Sequence, residues 1–163
     1  MNRRGFQHID LDTSPVQDVL NRAVAALDDP TPLMADIAQA MASVTEGYFA
    51  SESGPGGQPW PRLAESTRRQ RAREGTWPGK LLQRSGGMAA SVVPSHERTE
   101  ALLSVNKPYA AIHQFGGRAG RGKATPILAR SFMPIARAGG VSQEAEDAIL
   151  EIAVAWLDQV VSG

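Results

Sequence analysis

The sequence predicts an α+β fold, with N-terminal and C-terminal amphipathic helices packed on a small antiparallel β-sheet. Three observations lead there. Apolar residues recur at three- and four-residue steps near both ends of the chain, the periodicity of helices with one buried face. Two short β-prone runs in the centre are separated by a polar turn, the mark of a hairpin. Glycine and proline punctuate the rest, which breaks it into short segments.

Taken in order, Phe6 to Leu11 alternates apolar and polar residues and predicts a short strand. Ser14-Pro15-Val16-Gln17 then opens a helix, because Ser14 can cap, Pro15 suits the first helical position and Gln17 completes a capping box. Val16, Val19, Leu20, Ala23 and Leu27 mark its apolar face, and Asp29-Pro30 stops it. Thr31-Pro32 starts a second helix, with Leu33, Ile37, Met41, Val44 and Tyr48 as its stripe. The stretch 53–61, SGPGGQPWP, predicts an irregular loop pinned by Trp60. Leu63 to Arg73 reads as a short helix carrying Arg68, Arg69, Arg71 and Arg73. Met88–Val93 and Glu100–Val105 predict the two strands of the hairpin. Tyr109–Phe115 gives one or two helical turns, and a basic glycine-rich loop follows at 116–125. Ser142 caps the last helix, whose stripe is Ala145, Ile149, Ile152, Trp156 and Val160, and which is expected to cover the hairpin.

The 163 residues fit one domain with a real core, spanning the whole chain from 1 to 163. There is no cysteine, which excludes disulfides and thiolate metal sites. No apolar run is long enough to cross a bilayer, so no membrane partner is expected. The zero net charge conceals a segregation. Residues 1–53 hold three basic and eight acidic side chains, residues 54–140 fourteen basic and four acidic, and residues 141–163 five acidic and no basic. Either acidic terminal helices lie against a basic centre within one molecule, or the bipolar charge draws copies together or faces DNA.

Catalytic patterns are weak. Gly117–Ala124, GRAGRGKA, approaches the phosphate-binding loop but ends on Ala124, which has no hydroxyl for magnesium, and Pro126 follows. His8, His96 and His113 have no metal-ligand spacing. No nucleophile elbow is present, and the acids sit mainly on the outer faces of helices. No enzyme activity, cofactor or metal is therefore expected. The basic groups are the partner- or DNA-facing candidates: Arg118, Arg121 and Lys123 in the glycine-rich loop, and Arg68, Arg69, Arg71 and Arg73 upstream. They could touch phosphates with strong salt dependence, but lack aromatics for base stacking.

Five motifs, in order and spacing, resemble the phage virion morphogenesis family, the tail completion proteins of Mu-like and related contractile-tailed phages and prophages. They are Phe49; Pro55-Gly56-Gly57 with Trp60; Leu82-Gln83-Arg84-Ser85-Gly86; Tyr109 through His113, Gln114, Phe115 and Gly116 to Gly117; and Ala129-Arg130-Ser131-Phe132. Leu128 and Ser131 stand where that family has prolines. The resemblance implies a structural role, finishing the tail so that it joins the filled head. It implies rings of like copies, often six, contacting phage tail and head–tail connector proteins, with passive DNA contact at most. It also implies assembly in the host bacterial cytoplasm and residence in the virion. The alternative is a nucleic-acid-binding protein that grips phosphates through its basic centre.

Overall fold

The computed structural model describes residues 14–162; the strand expected at Phe6–Leu11 and His8 lie outside the described residues. The fold is α+β, with helices near both ends and three small antiparallel hairpins. Helix α1 is Ser14–Asp28 and α2 is Thr31–Ser51. Between them the Asp29 carboxylate accepts from the Thr31 N–H at 3.2 Å and from its hydroxyl at 2.5 Å. These bonds satisfy one orphan donor of the second helix and hold the Asp29 carboxyl below its usual range. The chain continues through β1 (Ser53–Gly54), β2 (Gln58–Pro59) and α3 (Glu65–Arg73). Strands β3 (Val92–His96) and β4 (Ala101–Val105) follow, then α4 (Ala110–Phe115). Strands β5 (Gly117–Ala119) and β6 (Thr125–Ile127) precede α5 (Gln143–Ser162).

Helix α2 is the central rod. It packs along α5 on one side and against β3 and β4 on another, while α1 lies on α5. The expectation that α5 covers the hairpin is corrected: α2 does so. The physical reason is that α2 is apolar on more than one face. Ala38, Ala42 and Thr45 are buried, as is Ala145 of α5, and small side chains permit close helix approach. Leu33, Ile37, Met41 and Val44, expected as its single stripe, are only half-buried. From its end, Tyr48 and Phe49 enter a core completed by Trp60, Leu81, Met88, Ala110 and Phe132. Phe49 is the hub, 5.5 Å from Trp60 edge-on and 5.5 Å from Phe132 at a tilt.

Three local expectations also change. The central hairpin pairs Val92 with Val105 and His96 with Ala101, so β3 starts later than expected and takes in Pro94. A two-stranded ladder is all edge, so proline is tolerated there. Met88 is instead a buried core residue before a single 3-10 turn at Ala89–Ser91. The stretch 53–61 is not irregular: β1 and β2 pair in a two-residue ladder around a turn at Pro55–Gly57. The basic loop 116–125 is likewise a hairpin, β5 on β6, with a 3-10 turn at Arg121–Lys123. This geometry has no helix after the glycines, so the resemblance to a phosphate-binding loop is only in the letters.

Candidate functional site

Four of the motif residues, Trp60, Gln114, Arg130 and Ser131, converge on one junction and lock three segments together. Gln114, 6 % exposed on α4, accepts from the N–H of Phe132 at 2.9 Å and of Met133 at 3.0 Å through one carbonyl oxygen. Ser131 returns a bond from its hydroxyl to the Gln114 carbonyl at 3.1 Å. The Trp60 indole N–H donates to the Ser131 carbonyl at 2.9 Å. Arg130, also buried, donates to the carbonyls of Pro61 at 2.8 Å and Arg62 at 3.1 Å. Irregular backbone that enters a core must have its polar groups satisfied, and these side chains do that where no long ladder can.

Two glycines belong to the same junction. A Cβ on Gly54 would sit 2.6 Å from the Ser131 carbonyl oxygen, so only glycine lets β1 approach. Gly116 turns the chain at φ 75°, where a Cβ would also meet the backbone of Ile127 and Ala129 at 3.1 Å. Gly117 begins β5 opposite Ile127. Ser85 is exposed, and Gly86 takes a left-handed turn with its carbonyl accepting from Ala90 at 3.0 Å. Tyr109 is exposed on one edge and meets the half-buried His113 ring edge-on. Burial pushes the His113 imidazole below its ordinary range, and the Arg130 guanidinium adds to this. Phe115 departs from its neighbours: it is 71 % exposed.

A second junction was missed from sequence. Tyr48 of α2 shares a hydrogen bond with the Ser142 hydroxyl at 2.9 Å and donates to Glu144 at 3.0 Å. Glu144 also accepts from the Gly56 N–H at 2.7 Å. Burial pushes the Tyr48 phenol up to about 12; Ser142 opposes the shift and Glu144 adds to it. For Glu144, burial raises the pKa, but bonds from its own N–H, Gly56, Tyr48 and Ser142 outweigh it and leave the carboxyl below its usual range. Ser142 caps α5 as expected, accepting from the Ala145 N–H at 3.4 Å. Glu144 fits the helix dipole, and that reading conceals its tie to a distant loop. A glutamate followed by no nearby base gives no sequence signal for such a tie.

The basic candidates separate. Arg71 is 6 % exposed and faces inward, away from the open surface that Arg73, Arg121 and Lys123 present. Arg68 and Arg69 share the Glu65 carboxylate. Arg118 spans its own hairpin, donating to the carbonyls of Lys123 at 2.8 Å and Ala124 at 3.2 Å. Arg73, Arg121 and Lys123 are exposed. Among the described residues no group of acids and histidines could hold a metal, and no helix is long and apolar enough to cross a membrane.

What the surface does offer is apolar. On α1, Val16, Leu20, Val24 and Leu27 are exposed; on α5, so are Leu150, Val154, Leu157 and Val161. All eight lie between 51 and 68 % exposed, spaced at helical intervals. The inward side of α1 is therefore Val19, Ala23 and Ala26 rather than the full stripe expected from Val16 to Leu27. The two helices are joined where Arg22 donates to the Val160 and Val161 carbonyls, at 3.3 Å each. A second apolar surface lines an open groove of about 790 Å³ between Pro55, Trp60, Phe115, Ile135 and Arg137.

Residues 11–158 match the model of the phage virion morphogenesis family. The chain is 35 % identical over 129 residues to "Mu-like prophage FluMu G protein 2" of Haemophilus influenzae, covering 77 % of this chain and 83 % of that one. It is 33 % identical over 157 residues to "Putative capsid assembly protein G" of Escherichia phage Mu, covering 91 % of this chain and 99 % of that one. No solved structure matches.

Proposed function

Because this chain belongs to the phage virion morphogenesis family, we propose that it is a structural subunit that completes the tail and enables its joining to the head, acting as a ring of like copies. The observation that carries this reading is the pair of exposed aliphatic stripes on α1 and α5. Eight such side chains present on the order of 600 Å² of apolar surface, at the top of the range for the largest patch on a monomer and approaching one partner's share of a standard interface. The acids of α5, Glu146, Asp147, Glu151 and Asp158, border this face. The other apolar surface, with Phe115 and Ile135, is lined by Arg137, and the hairpin carrying Arg118, Arg121 and Lys123 leaves it directly after Phe115 and Gly116.

The occupant of the α1–α5 face is thus a second copy, presenting its basic-edged groove. Such a contact joins two different surfaces, and head-to-tail contacts close into rings when the rotation allows. Opposite charge at the rims sets register and suppresses the like-with-like pairing. The motif residues serve this function indirectly, by fixing the groove and the basic hairpin on a rigid junction.

Native mass measurement of the chain alone and with tail tubes tests the reading. Lys substituted for Leu20 and Leu157 should leave the circular dichroism unchanged, since both side chains face water, and should abolish association. Association that survives both substitutions would overturn the proposed face. The nucleic-acid alternative predicts something else: steep salt-dependent DNA binding by the monomer.

A further inference from the structure

A recess of about 280 Å³ lies between α3, the segment 82–88 and α4, lined among others by Thr67, Arg71, Arg84, Ser85, His113 and Arg130. Its lining includes three arginines and no acidic residue. Arg84 pairs with Glu74 outside the recess at 2.6 Å. Arg130 is satisfied only by neutral carbonyls. Arg71 is more than nine-tenths buried, donates one bond to the Lys80 carbonyl at 3.2 Å, and stacks 5.8 Å from the centre of the Trp77 ring. Its Nε and the His113 Nδ1 are buried with no hydrogen-bond partner. A buried cation without a counter-charge is costly, because water has been removed and nothing of opposite sign replaces it.

We propose that this recess is a binding site for a small oxyanion, a phosphate ion or a carboxylate, that the described residues of the chain do not themselves supply. The anion lies among Arg71, Arg130 and the imidazole of His113, with Arg84 held at the rim by Glu74 and the Thr67 and Ser85 hydroxyls as neutral donors at the mouth. Guanidinium forks suit either group, since both present paired oxygens. The volume admits an ion or the end of an acidic side chain. Two sources share this chemistry: free phosphate, and an acidic side chain of a second copy.

Thermal unfolding of the full chain in sodium phosphate, against sodium chloride at equal ionic strength, reads the site. Occupancy at roughly ten times Kd should raise Tm by about 3–6 °C. Phosphate also stabilises proteins by exclusion from their surfaces, so a blocked site is needed for comparison. Thr67→Glu sets a carboxylate one helical turn before Arg71. That variant should melt above the parent in chloride and lose the phosphate increment, while Thr67→Gln should keep the increment. Side-chain nitrogen shifts of Arg71 and His113 should move with phosphate in the parent only. An increment equal in the parent and Thr67→Glu, or absent from both, overturns the site whatever the oligomeric state. The source is read by native mass. Phosphate that separates associated copies identifies a neighbour's carboxylate, and phosphate that saturates with the mass unchanged identifies the free ion; either result supports the site.

Discussion

Replacing Gln114 with methionine keeps the length of the side chain and removes its acceptor. In the folded protein that one oxygen satisfies the N–H groups of Phe132 and Met133, at 2.9 and 3.0 Å, and the first of these bonds is buried. Leaving a buried donor unpaired costs about 1–3 kcal/mol. The Met133 N–H is only partly buried, so the pair together should cost about 3 kcal/mol, allowing for some access of water. For a chain of this length each kcal/mol lowers Tm by about 2–4 °C, so Gln114→Met should melt about 6–12 °C below the parent in calorimetry. Gln114→Glu is the paired control. A carboxyl oxygen can accept both bonds, so that variant should lie above the methionine variant, and nearest the parent at acid pH, where the protonated group keeps its carbonyl acceptor without burying a charge. If Gln114→Met melted within a degree or two of the parent, the junction would not be what holds segments 113–116 and 128–133 together. The motif residues would then need a direct part in function.

Other consequences are measurable in the same way. Gly54→Ala puts a methyl group 2.6 Å from the Ser131 carbonyl that the Trp60 indole also uses; a loss of about 1–3 kcal/mol in urea unfolding is expected, and no loss would mean that β1 yields freely. Glu144 has a folded pKa below its unfolded value, so its contribution is complete above the unfolded value of about 4.5 and is lost as pH falls through the folded one. Glu144→Gln should therefore be less stable than the parent at neutral pH, with the gap closing at acid pH; parallel curves would contradict this. Acrylamide should quench Trp156, half-buried on α5, more readily than Trp60, which is 5 % exposed. Equal quenching in single-tryptophan variants would count against the core as described.

Much of the fold is legible in the sequence because the two long helices carry strong periodicity and clear punctuation. Pro32 opens α2, Ser142 caps α5, and the stripe from Ala145 to Val160 is the side of α5 that is wholly or partly buried. Helix α1 misleads because its apolar residues occupy two faces, and no pattern within the helix says which face has a partner. The paired strands β1 and β2 are two residues each, too short for any alternation to show. The motif junction is legible as an ordered set of residues, but its chemistry is not. Sequence order does not reveal that Gln114, Ser131 and Trp60 meet around one strip of backbone. Arg71 illustrates the same limit. Within the run from Arg68 to Arg73 every arginine looks alike, and only the tertiary packing of Trp77 and Lys80 turns one of them inward.

A subunit that completes the tail, as proposed above, must leave its mark on the particles released without it. The most direct measurement is electron microscopy, with plaque counts, of particles released when the gene is deleted from the phage or lysogen that encodes it. Filled heads and tails should lie separate, restored to joined particles by the parent chain but not by one carrying Lys at both Leu20 and Leu157. Infectious particles with tails attached to heads, released in undiminished number without the gene, would contradict that role.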